Sequence, residues 1–179
     1  MQVAIKNAKI VLGVSAGIAV YKAVEILRLL VKEGADVRVV MSANAGKFVT
    51  PLTFAALSGN PVYHSLFDSQ NSADMEHIRV AENADLLVVA PATASMLGKM
   101  AHGLADDALS NLHLAFKGSV LVAPAMNEGM WEHPAVKNNI DILKSRGVDF
   151  VDPAFGALAC GVTGSGRLAE PSAILDKVK

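Results

Sequence analysis

The stretch KIVLGVSAGI at residues 9–18 decides the fold. Its first six residues form a nearly continuous aliphatic run, which is typical of a strand buried on both faces of a parallel sheet. Small residues follow at 13–17, and apolar residues then return at helical spacing on one face until Gly34. A buried strand, a tight turn and an amphipathic helix together predict the opening unit of an α/β protein.

The same alternation of aliphatic runs and helical segments continues to the end of the chain. Further strands are predicted at 36–41, 85–90, 119–123 and 149–151. Helices are predicted at 18–32, 94–100, 107–116 and 135–146, with two short ones within 43–58 and a last one from Pro171. We therefore predict a single-domain, doubly wound parallel sheet, flavodoxin-like (Rossmann-like), over residues 1–179. Residues 152–167 are predicted to form a loop, with 152–168 as an active-site flap.

Composition limits the classes of function. The 179 residues suit one domain, and 52% are apolar although only 5% are aromatic, an aliphatic excess that hints at burial between copies of the chain. The net charge of −1 and the scattered charges argue against binding to nucleic acid or to an anionic membrane. Cys160 is the only cysteine and residues 1–9 lack the features of a signal peptide, so we expect a cytoplasmic protein.

Ligands of open α/β sheets bind beyond the carboxyl ends of the strands. The turn at 13–17 fits a phosphate site, because small residues allow close backbone approach and the next helix presents N–H groups. It lacks the Gly-x-Gly-x-x-Gly spacing of dinucleotide sites, and no carboxylate ends the second strand, which favours FMN over NAD. A ligand-free turn explains the pattern equally well. Ser42 and Asn44 either cap a helix or donate to the same phosphate.

Two more segments follow buried strands. In Pro-Ala-Thr-Ala-Ser-Met, residues 91–96, the hydroxyls of Thr93 and Ser95 either cap the next helix or surround a flavin ring or phosphate. In Pro-Ala-Met-Asn-Glu-Gly-Met-Trp, residues 124–131, Asn127 offers a hydrogen-bond donor and an acceptor, as needed to hold a carboxylate or a thiol-bearing group. On the residues alone, Met130 and Trp131 are better explained as core side chains.

The remaining candidates are a histidine and a glycine-rich loop. His77 is one of five histidines, and nothing in composition sets it apart from a structural residue. The segment ACGVTGSGR at 159–167 places Cys160 among three glycines, which indicates either a mobile flap or a flexible surface loop, and Arg167 suits a phosphate. No metal site is expected, because the histidines lack His-x-x-x-His spacing and one cysteine cannot build a zinc site.

Taken together, these segments resemble the homo-oligomeric flavin-containing cysteine decarboxylases. The Pro-Ala-Met-Asn-x-x-Met-Trp motif of that family is matched at 124–131, and residues 91–96 match its Pro-Ala-Ser-Ala-Asn-Thr motif more loosely. Ser95 and Met96 replace the Asn and Thr of the second motif. His77 and Cys160 stand in the family's order on either side of these motifs.

The resemblance implies a role for each candidate residue. The catalytic residues it implies are His77, Asn127 and Cys160. The FMN contacts it implies are Ser15, Ala16, Gly17, Ile18, Ser42, Asn44, Thr93, Ala94, Ser95, Met96 and Ala125. The substrate contacts it implies are Asn127, Met130, Ala159, Arg167 and Leu168. It also implies a homo-oligomer, a trimer or a dodecamer, with FMN at a subunit interface.

Within the family, the Ala-Cys-Gly-x-x-Gly-x-Gly flap at 159–166 resembles the branch that decarboxylates 4′-phosphopantothenoylcysteine to 4′-phosphopantetheine in coenzyme A biosynthesis. The chain resembles the decarboxylase half of a two-part enzyme, so a separate phosphopantothenate-cysteine ligase is expected upstream. Peptidyl-cysteine decarboxylases and flavin prenyltransferases are alternatives that Cys160 and Asn127 disfavour. A non-catalytic flavin-binding subunit that regulates a phosphatase is disfavoured because the sequence has no long acidic tail.

Overall fold

A computed structural model describes residues 5–65, 76–157, 161 and 163–179, with the backbone alone at 76–78 and 157. Within these residues, five parallel strands form one sheet in the order β2-β1-β3-β4-β5. The strands are β1 (Lys9–Val14), β2 (Asp36–Met41), β3 (Leu86–Ala92), β4 (Ser119–Pro124) and β5 (Asp149–Phe150). This order is that of the flavodoxin-like doubly wound fold, so the predicted fold class is confirmed.

Helices connect the strands and cover both faces of the sheet. They are α1 (Val20–Lys32), α2 (Pro51–Ser58), α3 (Glu76–Asn83), α4 (Ala94–His102), α5 (Ala108–Ala115), α6 (Glu128–Trp131), α7 (Pro134–Ser145) and α8 (Pro171–Val178). A 3₁₀ turn at Ala45–Lys47 precedes α2, as the prediction of two short helices broken near Pro51 required. Helices α3 and α6 were not predicted. Among the described residues, no helix is both long and apolar enough to span a membrane.

The alternation of side chains along each strand divides the core into two layers. Ile10 and Leu12 pack against the layer that contains α1 and α8. Val11 and Leu87 pack against the layer that contains α4, α5 and α7. These strand side chains are at most 1% exposed, so both faces of the sheet are covered and the strands are apolar throughout.

Gly13 of the opening stretch serves packing. A Cβ atom at this position would lie 2.5 Å from Cδ1 of Leu109, so the missing side chain lets α5 lie directly against β1. The glycine that is placed to approach a ligand is therefore Gly17, beyond the end of the strand.

The prediction of a loop at residues 152–167 is wrong. Strands β6 (Ala154–Ala157) and β7 (Thr163–Arg167) pair antiparallel in a small second sheet. Gly164 and Gly166 lower the strand propensity of this segment, which is why its sequence reads as a loop. Strands β6 and β7 nevertheless pair with each other, and β7 also contacts α6.

Candidate active site at the carboxyl ends of the strands

A cavity of about 740 Å³ opens at the carboxyl ends of β1, β3 and β4, and β7 contributes to its wall. The segments after these three strands meet there because parallel strands end at the same edge of a sheet. The volume is typical of sites for small molecules. The predicted site residues that line it are Ala16, Gly17, Ile18, Thr93, Ala94, Ser95, Ala125, Asn127, Met130, Arg167 and Leu168.

Four predicted FMN contacts are described outside the cavity wall. Ser15 is buried directly beneath the turn, and Met96 is a core side chain with 2% exposure. Ser42 and Asn44 lie after β2: Ser42 is buried, and Asn44 is exposed at the start of the 3₁₀ turn without a side-chain capping bond. The alternative in which the Asn44 side chain caps a helix is therefore wrong.

Ser15 ties the end of β1 to the end of β3. Its hydroxyl donates to the carbonyl oxygen of Pro91 at 2.8 Å and accepts from the N–H of Thr93 at 2.9 Å. Its own N–H also donates to the Pro91 oxygen, at 3.2 Å. The single hydroxyl proton of Ser15 is thus used inside the protein, and this side chain shapes the turn.

Thr93 begins α4 as its N-cap. Its Oγ1 atom accepts from the N–H of Met96 at 3.3 Å, which satisfies one of the unpaired donors of the first turn. Ser95, in that same turn, is exposed and lines the cavity. Thr93 therefore caps a helix, as one of the two alternatives predicts, and the capped turn faces the cavity.

Asn127 caps the short helix α6 and lines the cavity. Its Oδ1 atom accepts from the N–H of Gly129 at 2.9 Å, and this bond sets the orientation of the side-chain amide. Met130, one turn later, also lines the cavity and is 48% exposed, so it is not a core residue. Trp131 is half-buried beneath the Lys137 ammonium, which lies 4.3 Å from the ring centroid.

The sequence analysis missed Lys22, a lysine in the cavity wall. Its side chain is only 9% exposed, and its Nζ lies 3.3 Å from Oε1 of Glu170. Arg167 binds the same carboxylate at 2.7 Å. The three side chains leave one net positive charge at this wall. The signal was present in the sequence, because Lys22 lies on the apolar face of α1 next to Ala23, where a lysine is unusual.

The two remaining catalytic candidates, His77 and Cys160, lie at the margins of the described residues. The backbone of His77 lies in the first turn of α3, and its side chain is outside the description. Cys160 and Ala159 fall outside the described residues; in the sequence they lie between β6 and β7. Across the described part of the chain, no three His, Cys, Asp or Glu side chains come together to hold a metal ion.

Perturbed ionisable groups lie away from the cavity, at the ends of α4 and α5. Burial by itself lowers the pKa of Lys99, but hydrogen bonds to Asp106 and Asp107 outweigh it and raise that pKa. The hydrogen bond from Lys99 in turn lowers the pKa of Asp106. Burial lowers the pKa of His113, and the charge of Arg146 adds to this effect.

The arrangement suits a flat, phosphate-bearing ligand. Apolar side chains such as Ile18 and Met130 form much of the wall, the turn before α1 brings the backbone of Gly17 to the cavity, and Asn127 and Arg167 supply directed polar contacts. A Cβ on Gly17 would lie 3.4 Å from Cγ2 of Thr93 and would narrow the space between these turns. The fold and the cavity therefore define a flavodoxin-like α/β protein with a mononucleotide-type site.

Comparison with known proteins gives the family: the chain belongs to the Flavoprotein family, whose model matches residues 2–179. The coenzyme A biosynthesis bifunctional protein CoaBC of Bacillus subtilis (strain 168) is 50% identical over 171 residues, which are 96% of this chain and 42% of that protein. The chain thus spans less than half the length of the curated relatives it matches.

Solved structures agree with this assignment. A PPC decarboxylase mutant complexed with pantothenoylaminoethenethiol superposes with a TM-score of 0.89 at 30% identity and covers 97% of both chains. The FMN binding protein AtHal3 superposes with a TM-score of 0.85 at 31% identity, over 97% of this chain and 95% of its own. The family resemblance predicted from the sequence motifs is confirmed.

Proposed function

We propose that the chain binds FMN in the cavity and uses it to decarboxylate 4′-phosphopantothenoylcysteine to 4′-phosphopantetheine in coenzyme A biosynthesis. The observation that carries this proposal is the convergence of the three motif segments and β7 on one cavity of about 740 Å³. The names of the relatives support the same reaction: one is a coenzyme A biosynthesis protein, one a PPC decarboxylase and one an FMN binding protein.

The residues that would hold FMN are those of the turns after β1 and β3, with Ala125. The turn between β1 and α1 suits a phosphate, and the lack of bulk at Gly17 and Ala94 leaves room for a planar ring. When bound, FMN would supply the redox chemistry: it would accept two electrons from the substrate's cysteinyl group so that CO₂ can leave, and would return them to the product.

The chain's own residues would bind and orient the substrate and move its protons. The amide of Asn127 can donate to the substrate carboxylate, and Met130 would contact the substrate beside it. Arg167 and Lys22 place positive charge in the wall, which attracts a phosphorylated substrate. We assign His77 to the first half of the reaction, where it helps to oxidise the thiol or to orient the carboxylate. We assign Cys160 to the second half, as proton donor to the enethiolate.

Assembly is part of the proposal. Ile18 and Tyr21 line the cavity and are 61% and 60% exposed, which supports an FMN site at an interface between copies of this chain. We propose a trimer or a dodecamer in the cytoplasm, with a separate phosphopantothenate-cysteine ligase upstream that makes the substrate. Light scattering of the FMN-loaded protein tests the oligomer, and a monomer would contradict this part.

Two measurements test the proposed function. The purified chain is expected to be yellow, or to become yellow with added FMN, and Gly17→Val is expected to weaken FMN binding because its side chain meets Thr93. Gly147→Ala is the control: its methyl group adds backbone strain at φ +84° but meets open space outside the cavity wall, so it should cost stability and leave FMN affinity unchanged. A colourless protein that takes up no FMN would contradict the cofactor assignment.

The substrate is tested by mass spectrometry on the FMN-loaded chain. Phosphopantothenoylcysteine is expected to lose CO₂, whereas a peptide that ends in cysteine is expected to remain intact. Decarboxylation of the peptide alone would instead favour a peptidyl-cysteine decarboxylase. FMN binding without loss of CO₂ from either compound would favour a non-catalytic flavin-binding subunit.

A further inference from the structure

Neighbouring residues of the 124–131 segment face different parts of the molecule. Asn127 lines the cavity, whereas the half-buried Glu128 contacts the β6–β7 pair, which we call the hairpin. Its Oε1 atom accepts a hydrogen bond from the backbone N–H of Ser165 in β7 at 3.1 Å. On the other side of Asn127, the N–H of Met126 donates to the carbonyl oxygen of Gly166 at 2.9 Å. The hairpin is therefore fastened to this segment on both sides of Asn127.

The glycines of β7 make these two contacts possible. A Cβ atom on Gly164 would lie 2.5 Å from Cδ of Glu128, so the carboxyl group rests where any side chain would stand. Gly166 has φ +121°, and a Cβ there would collide with the Met126 carbonyl oxygen. Both glycines are thus explained by close packing of β7 on the segment that carries Asn127.

We propose that Glu128 is a positioning residue, whose carboxylate holds β7 in place so that Arg167 and Leu168 stay beside Asn127 in the cavity wall. Arg167 and Leu168 directly follow the fastened stretch of β7 and line the cavity. An oxygen atom at the end of this side chain satisfies the Ser165 N–H, and displacement of the groups that hold a substrate weakens its binding. The inference about catalysis rests on the proposed function, but the contact itself can be tested without it.

Hydrogen exchange at the Ser165 amide tests the contact directly in the FMN-loaded protein. Glu128→Ala is expected to speed exchange at this amide by about tenfold or more, because the N–H loses its acceptor. Glu128→Gln is expected to stay near wild type, because its amide oxygen can still accept. Glu132→Ala is the matched control: it removes an exposed carboxylate from the end of the same short helix, where it pairs with Lys137.

Kinetics with phosphopantothenoylcysteine tests the positioning role. Glu128→Ala is expected to raise KM about tenfold with a smaller change in kcat and an unchanged FMN affinity, because Glu128 does not line the cavity. Glu128→Gln should restore the wild-type KM. A role in general stability would instead lower the melting temperature and the amount of active enzyme, and leave KM unchanged.

Gly164→Ala provides an independent perturbation. Its methyl group would displace the Glu128 carboxylate, so the single variant is expected to reproduce the Glu128→Ala exchange and KM. In the Glu128→Ala/Gly164→Ala double variant this conflict is absent, so the two effects should not add.

The outcomes separate the two proposals. If Ser165 exchanges fast in Glu128→Ala but the wild type has no decarboxylase activity, the proposed function is overturned. The proposed contact between Glu128 and β7 is still supported in that case. Unchanged exchange in Glu128→Ala, or additive effects in the double variant, would overturn the role of Glu128.

Discussion

The two ends of the cavity are built by different kinds of contact. At the turn after β1, Ser15 is 1% exposed and its hydrogen bonds join the ends of two central strands. At the hairpin, β7 is held by Glu128 and Met126 from a surface segment, and Phe155 of β6 is 71% exposed. The turn after β1 is therefore part of the buried five-stranded sheet, whereas the hairpin lies outside that sheet and contacts the segment at 124–131.

This difference matches what the two ends are proposed to hold. A buried network opens only when much of the fold opens, which suits a cofactor that stays bound through many turnovers. The two-stranded hairpin lies outside the main sheet and is held by local contacts to the segment that carries Asn127, which suits a wall that positions the substrate. Changes at the turn after β1 should therefore affect FMN affinity and stability, and changes at the hairpin should affect the substrate.

The largest effect is expected from Gly166→Ala. The new side chain needs a left-handed φ and collides with the Met126 carbonyl, so β7 must leave its place. We expect kcat/KM for phosphopantothenoylcysteine to fall about 100-fold, while the protein still binds FMN. Gly147→Ala has the same type of φ but open space around it, and it should lose little activity. Equal loss in both variants would show that backbone strain alone is responsible.

The next effect is expected from Ser15→Ala. Removal of the hydroxyl takes the acceptor from the Thr93 N–H and leaves the Pro91 carbonyl with the Ser15 N–H, which should lower the free energy of unfolding by about 2 kcal/mol. The FMN dissociation constant should rise about tenfold, because the turn that faces the ligand loses its support. Ser145→Ala, which removes an exposed hydroxyl bonded to Ile142, is the control for denaturation and FMN titration. Unchanged FMN affinity would disconnect Ser15 from the cofactor end.

A smaller effect, confined to stability, is expected from Asp107→Ala. Asp107 caps α5 through the Ser110 N–H at 2.9 Å and pairs with Lys99 at 2.9 Å. Its loss should lower the free energy of unfolding by about 1–2 kcal/mol, with FMN affinity unchanged. Asp107→Asn keeps a capping oxygen and should recover part of this. A marked loss of FMN binding would contradict the division between cavity and scaffold.

The smallest effect concerns pH. Because the pKa of His113 is lowered in the folded state, the unfolded chain takes up this proton first as pH falls below about 6.5. Folding stability should therefore decrease in that range and level off once the folded His113 is also protonated. His113→Gln should make the decrease shallower in denaturant titrations at several pH values, and an unchanged slope would remove His113 from the explanation.

Sequence patterns predicted the sheet well and the hairpin poorly, for physical reasons. The bounds of β1 and β2 were predicted to the residue, because continuous aliphatic runs end there at clear turns. Strand β7 has little local strand propensity, and its Ser165 N–H bonds to Glu128, 37 positions earlier, so a local pattern could not reveal it. Helix α6 has four residues, too few for a helical period.

The candidate site was predicted mainly through its motifs. Eleven of the residues expected to contact FMN or substrate line the cavity, because the motifs follow strands that end at one edge. Ser15 and Met96 support the site from inside, and a motif does not distinguish a supporting residue from a lining one. Lys22 was missed because it belongs to no motif, and only its place on an apolar helix face marks it.

The division of labour between the two ends is tested most directly by one anaerobic reaction of the Cys160→Ser protein with phosphopantothenoylcysteine. In the proposed reaction, oxidation and loss of CO₂ are assigned to the cofactor end, His77 and Asn127, whereas the final protonation is assigned to Cys160, between β6 and β7 in the sequence. The predicted result is release of CO₂, an absorption spectrum of reduced flavin, and an enethiol product in place of 4′-phosphopantetheine. Formation of 4′-phosphopantetheine at the wild-type rate, with the flavin reoxidised, would contradict it.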